Sequence, residues 1–169
     1  MRTSFFSTLV ILIFILPALN GIESGSPFHR LEGKWTGSGW AELPFMSFSV
    51  DLEGTAEFQF DSLCNCFITR LNSTRLLMPY SDSGQIYHNP QNDSLFWKIK
   101  DNFGRHTEVA ARLVLSNPDR FIVVEKEGRN IDSTIVNFKN DNSVLIIWKK
   151  ADKNGKSLEK GRVNLTRSE

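Results

Sequence analysis

The residues of this chain best able to do chemistry are few: Cys64 and Cys66, separated by Asn65, and three histidines, His29, His88 and His106. Two thiols this close could form a bridge, bind a soft metal or simply pack. On an extended strand, residues i and i+2 share a face roughly 6.6 Å apart, whereas bridged Cβ atoms must come within about 4 Å. A bridge therefore needs a local turn, for which Asp61-Ser62 gives some licence, and packing within a strand is the leading expectation. A metal would need more ligands, and no third cysteine or histidine stands at ligand spacing.

His88, before Asn89-Pro90, and His106, between Arg105 and Thr107, could each act as a general base. No nucleophile elbow, His-Glu-x-x-His pair, phosphate loop or dinucleotide fingerprint accompanies them. Asp152-Lys-Asn154-Gly155 has its glycine at the fourth position, where a calcium loop needs it at the sixth, so it reads as a turn. The expectation is a protein that binds rather than catalyses, with no catalytic residue, no metal ligand and no cofactor.

The elements that would position a binding site are strands. Ala56, Phe58 and Phe60 alternate with Glu57, Gln59 and Asp61, and similar apolar sets occur at Leu95, Trp97 and Ile99, at Phe121 and Val123, and at Val144, Ile146 and Trp148. Alternation with period two puts one face of a strand against a core. Turn formers separate these runs about every ten residues, at Ser81-Asp-Ser-Gly84, Asn89-Pro90, Asn102-Phe-Gly104, Asn117-Pro-Asp119, Asn140-Asp-Asn142 and Asn154-Gly155. Asn154-Gly155 suits a two-residue type I′ turn joining strands near 143–150 and 158–167. About nine or ten strands follow from this spacing. A flat sheet of that size would leave long aromatic edges open, so the expected fold is all-β, an antiparallel up-and-down barrel.

Residues 1–21 combine Arg2, an apolar run from Phe5 to Leu16 and Pro17-Ala-Leu-Asn-Gly21, the layout of a secretory signal peptide. Its apolar stretch falls short of the roughly 20 residues needed to cross a bilayer, so a secreted or periplasmic protein without a stable membrane span is expected. Residues 22–30 read as a short lead and 31–169 as one barrel domain. The chain has 20 Lys and Arg against 19 Asp and Glu; without Arg2 the counts are equal. Such balance argues against a nucleic-acid partner, whose phosphates demand clustered positive charge. Asn72, Asn92 and Asn164 begin N-glycosylation acceptor patterns.

The segment Leu31-Glu-Gly33-Lys-Trp35-Thr-Gly37-Ser-Gly39, then antiparallel strands ending in Arg167, resembles the lipocalin-like, or calycin, group of secreted β-barrels, close to bacterial lipocalin-like proteins. The resemblance implies that Trp35 packs across the closed end against a basic side chain of the last strand, Arg167 or Arg162. Parity favours Arg167, which shares a face with Val163 and Leu165. The Trp35-x-Gly37-x-Gly39 opening also looks like the nitrobindin branch, whose members hold haem through a late histidine. This chain has no histidine after residue 106, so haem on that pattern is not expected.

Within such a barrel, strand parity sends Phe58, Phe60, Trp97, Phe121 and Trp148 inward, with Phe67 and Tyr87 as further candidates to line a cavity for a small, largely apolar ligand. Trp40 has the opposite parity to Trp35. With Phe45 it could form an apolar rim at the barrel mouth, through which a filled barrel would act as a protein-interaction module. The oligomeric state is not legible from these features.

Overall fold

The computed structural model describes residues 26–42, 48–75, 78–127 and 130–168. The apolar run of residues 5–16, the cleavage region, the lead residues before 26 and the rim segment containing Phe45 lie outside them. A one-turn 3-10 helix, Pro27–Leu31, precedes ten strands. These are β1 (Gly33–Glu42), β2 (Ser49–Asp61), β3 (Cys66–Arg75), β4 (Met78–Asn89), β5 (Ser94–Asp101), β6 (His106–Asn117), β7 (Arg120–Glu127), β8 (Asn130–Asn140), β9 (Ser143–Ala151) and β10 (Ser157–Arg167). Each strand pairs antiparallel with its chain neighbours, and β10 returns to pair with β1, closing the barrel. Closure satisfies the backbone of every strand and leaves no edge on which another chain could pair.

Short polar residues make the turns. The side chains of Asp61, Asn89, Asn92, Asn117 and Asn140 each accept the backbone N–H two residues on, which is how Asn and Asp imitate a backbone turn. Two loops share one design. In both Asp101–Arg105 and Asp152–Lys156, the aspartate carboxylate accepts two backbone N–H groups. A glycine with φ +79°, Gly104 or Gly155, then lets the chain return. The hairpin at Asn154-Gly155 is therefore five residues long. It is not the two-residue type I′ turn expected, because the Asp152 side chain offers acceptors that hold a longer loop.

Two further expectations change. Ser81-Asp-Ser-Gly84 is the middle of β4 and not a turn: Gly84 is buried, and an added Cβ would lie 2.9 Å from the Lys98 carbonyl oxygen and from Thr69 Oγ1. Its glycine serves close strand approach. Cys64 and Cys66 form a disulfide with Cα atoms 5.3 Å apart. Asn65, at φ +50°, supplies the local reversal that an extended strand lacks.

One end of the barrel is plugged. Phe28 and Leu31 of the 3-10 helix point into the lumen, where Phe28 meets Phe67 and Phe121 with ring centroids 5.7 and 5.2 Å apart. Phe60 packs on Phe67, and Phe121 on Phe138. Arg30 fastens the plug to two turns through Asp119 and Asp141. Fully buried Trp35 donates from Nε1 to the Leu31 carbonyl oxygen, 2.7 Å away. The Arg167 guanidinium lies 4.4 Å above its ring, and also donates to the Arg30, Glu32 and Asp141 carbonyl oxygens. One planar cation thus satisfies three backbone acceptors while capping an aromatic face. Arg162 stands opposite Trp40 on the outer face.

Candidate functional site

The plugged end uses up five of the seven aromatic residues expected to line a ligand site, Phe58, Phe60, Phe67, Trp97 and Phe121. Phe67, Phe121 and Phe138 belong to the buried cluster, with Phe58, Phe60 and Trp97 packed against it. Tyr87 does not join them. Its register partner is Phe96, one step out of phase with the inward pair Ile86 and Trp97, so it stands on the outer face with its ring 6.4 Å from Phe96. The one-residue shift in parity reverses its side.

Above the aromatic cluster the lumen is open. A cavity of about 210 Å³ is lined by Gly37, Leu52, Gly54, Ala56, Leu71, Ser73, Tyr80, Trp148, Val163 and Leu165, with Glu53, Thr55 and Asn72 of β2 and β3 also in its wall. Small residues border it. The inward positions of β1 run Trp35, Gly37, Gly39, Ala41 and those of β2 run Leu52, Gly54, Ala56, and Gly37 lies directly opposite Gly54. A Cβ at Gly37 would meet Leu165 Cδ2 at 2.5 Å and one at Gly54 the Asn72 carbonyl oxygen at 2.1 Å, so these glycines let neighbouring strands and Leu165 approach closely beside the void. Of the aromatic residues expected to line a ligand site, Trp148 alone lines this cavity among the described residues. The signal that could have located it was the inward spacing of small residues.

The cavity opens toward the loop end through polar groups. The Tyr80 hydroxyl donates to the Asp82 carboxylate, and burial, followed by the Asp82 charge, pushes the phenol up to about 12. Burial also raises Asp82 above the ordinary carboxylate range, with Asp101 directly opposite adding like charge. Asp101 behaves otherwise: burial favours its neutral form, but the backbone N–H groups of Arg105 and Phe103 and the Arg105 side chain, with Nε 2.6 Å from Oδ2, hold its pKa below normal. Across the lumen, register puts Glu125, Asp132, Lys150 and Glu159 side by side on β7 to β10. Lys150 pairs with Asp132 at 3.3 Å, and Trp148 Nε1 donates to Glu159 at 3.3 Å.

The histidines lie elsewhere. His88 is buried at the plugged end, its Nδ1 3.2 Å from Ser26 Oγ and its ring against Phe28, and burial lowers its pKa. His106 lies in an open outer depression of about 450 Å³ with Arg70, Lys98, Lys100 and Glu108. The two are therefore not parts of one site. Among the described residues, no group of three or more His, Cys, Asp or Glu could hold a metal ion, and no helix is long and apolar enough to cross a membrane. Trp40 faces outward and is half-buried.

The fold has solved counterparts. An S-type phycobiliprotein lyase from Guillardia theta superposes with a TM-score of 0.56 at 9% identity, covering 84% of this chain and 90% of the lyase. A protein of unknown function from the DUF3598 family of Nostoc punctiforme gives 0.57 at 10% identity, covering 86% of this chain and 53% of that one. The likeness is one of fold. This chain is an all-β, closed antiparallel barrel of ten strands. No family model matches the sequence, and no curated protein matches it significantly.

Proposed function

We propose that this barrel retains one small, largely apolar molecule in the cavity between β1–β4 and β9–β10. The observation that carries the reading is a cavity of about 210 Å³ with Leu52, Leu71, Trp148, Val163 and Leu165 in its wall, where Ser73 and Tyr80 are the polar residues at inward positions. An apolar cavity of about 150 Å³ stays dry and holds benzene, so this one suits a molecule of roughly eight non-hydrogen atoms. Burial of the ligand's apolar area supplies the affinity, at roughly 25 cal/mol per Å². Tyr80, Asp82 and the Trp148–Glu159 pair stand where a polar end of the ligand would emerge, so a neutral or cationic donor is favoured there over an anion.

The protein does this work in the secreted or periplasmic space. The apolar run of residues 5–16 supports export, and a disulfide fits an oxidising compartment. The competing reading, a filled barrel acting through its outer rim, leaves the cavity without a role.

The test is ligand-observed NMR with toluene and indole on the purified chain, alongside native mass spectrometry of protein taken from its own source. At about 0.5 kcal/mol per atom, an eight-atom ligand binds with a Kd of roughly 1 mM. Saturable binding that disappears in an Ala56→Phe variant, whose ring would occupy the cavity, is the expected result. Binding that survives this substitution would place the ligand elsewhere, and no binding of any apolar probe would end the reading.

A further inference from the structure

Cys64 and Cys66 close a ring over one intervening residue in the turn between β2 and β3. A bridge restricts the unfolded chain in proportion to the logarithm of the loop it closes, so this one contributes close to the least a disulfide can. The barrel also has no need of it, since β2 and β3 are already paired from Asp61↔Cys66 onward. A stapling role therefore does not account for its presence.

Its surroundings fit exchange. Cys64 is half-exposed, whereas Cys66 is 1% exposed, so an incoming thiolate can reach only one of the two sulfurs. Cys64 Sγ lies 3.7 Å from the Asp61 carbonyl oxygen. An oxidised sulfur has no proton to donate to that oxygen, but a Cys64 thiol would, so the reduced state has a partner waiting. Exposed bridges are in general the labile ones. Leu63, next to Cys64, is 97% exposed, an apolar contact with no function inside the fold.

We propose that Cys64–Cys66 is a thiol–disulfide exchange site whose partners are cysteine-bearing polypeptide segments that pack on Leu63. The partner's thiolate attacks Cys64 Sγ, the Sγ–Sγ bond breaks, and Cys66 leaves as a thiolate. The resulting mixed disulfide resolves in one of two ways. Cys66 returns to Cys64 and expels the partner thiolate, or a second partner thiolate attacks the partner's own sulfur, giving an oxidised partner and the Cys64/Cys66 dithiol.

The intact protein is incubated with a short unstructured peptide bearing one cysteine among apolar residues or, separately, with glutathione at equal thiolate concentration. Alkylation and mass spectrometry then count opened bridges. The peptide should open the bridge about tenfold faster than glutathione, and Leu63→Ser should abolish that advantage without changing the glutathione rate. Equal rates would remove the polypeptide partner, and a bridge resistant to both would remove the site. The Cys64→Ala/Cys66→Ala double variant should melt within about 6 °C of the parent; a fall of about 10 °C or more would make the bridge a structural staple and overturn the proposal.

Discussion

Leu71→Ala distinguishes an open lumen from a packed one. Leu71 lines the cavity and packs against the buried cluster, whereas Leu113 is enclosed on all sides at 1% exposure. Either truncation removes three carbons, roughly 80 Å³. At Leu113 the surroundings lose contacts on every side, and the cost should be about 4–5 kcal/mol. Leu71 already has a void on one side, so fewer contacts vanish and about 2–3 kcal/mol is expected. For a domain of this size that corresponds to drops in Tm of roughly 12–15 °C and 6–9 °C. The ligand side moves in the opposite sense, because the cavity grows from about 210 Å³ to roughly 290 Å³. Butylbenzene carries three more carbons than toluene, worth up to about 2.4 kcal/mol once they are buried, or roughly fiftyfold in Kd. The parent should show little preference between the two, and Leu71→Ala a strong preference for butylbenzene. Calorimetric melting and NMR titration measure both quantities. Equal melting costs at the two leucines, with no change in ligand preference, would refute the reasoning.

Other expectations follow from the mouth and the plug. Tyr80 keeps its proton more tightly in the folded state, to about 12 against the ordinary tyrosine value of 10.0. Its contribution to stability is therefore complete below pH 10 and lost as pH rises from 10 toward 12. Tyr80→Phe should flatten that alkaline decline in urea unfolding, and an unchanged slope would mean that burial does not hold the proton on Tyr80. Asp101 runs the other way: its pKa is depressed below the ordinary aspartate value of 3.8, so its contribution is present above that pH and fades as the pH falls through the folded value. Asp101→Asn should remove this acid dependence while keeping one acceptor for the turn, as read by melting between pH 2 and 5. Arg167→Lys loses the fork that spans the Arg30, Glu32 and Asp141 carbonyls, and should lower urea stability by about 2–3 kcal/mol. A loss no larger than that of a surface Lys160→Ala control would deny the fork its role.

Sequence alone determined the all-β class, the closure of about ten antiparallel strands and the inward or outward sense of most side chains. Those properties are local: parity alternates residue by residue, and turns are made by neighbouring Asn, Asp and Gly side chains. Where sequence reading failed, a contact distant along the chain had intervened. Gly84 looked like a turn residue because nothing nearby in sequence reveals that Lys98 and Thr69 crowd its position. Tyr87 was one residue out of phase, and only its pairing with Phe96 settles its side.

The site itself was a tertiary matter. Inward-facing Phe58, Phe60, Phe67, Trp97 and Phe121 have the parity of ligand-lining residues, but the 3-10 helix brings Phe28 and Leu31 into that end and turns it into core. The void lies instead where Gly37 meets Gly54 across 17 residues of sequence, beside Trp148, Val163 and Leu165 from the far end of the chain. A sequence lists side chains one strand at a time. A cavity is the space that side chains from six strands leave unfilled, and that volume exists only once the barrel has closed.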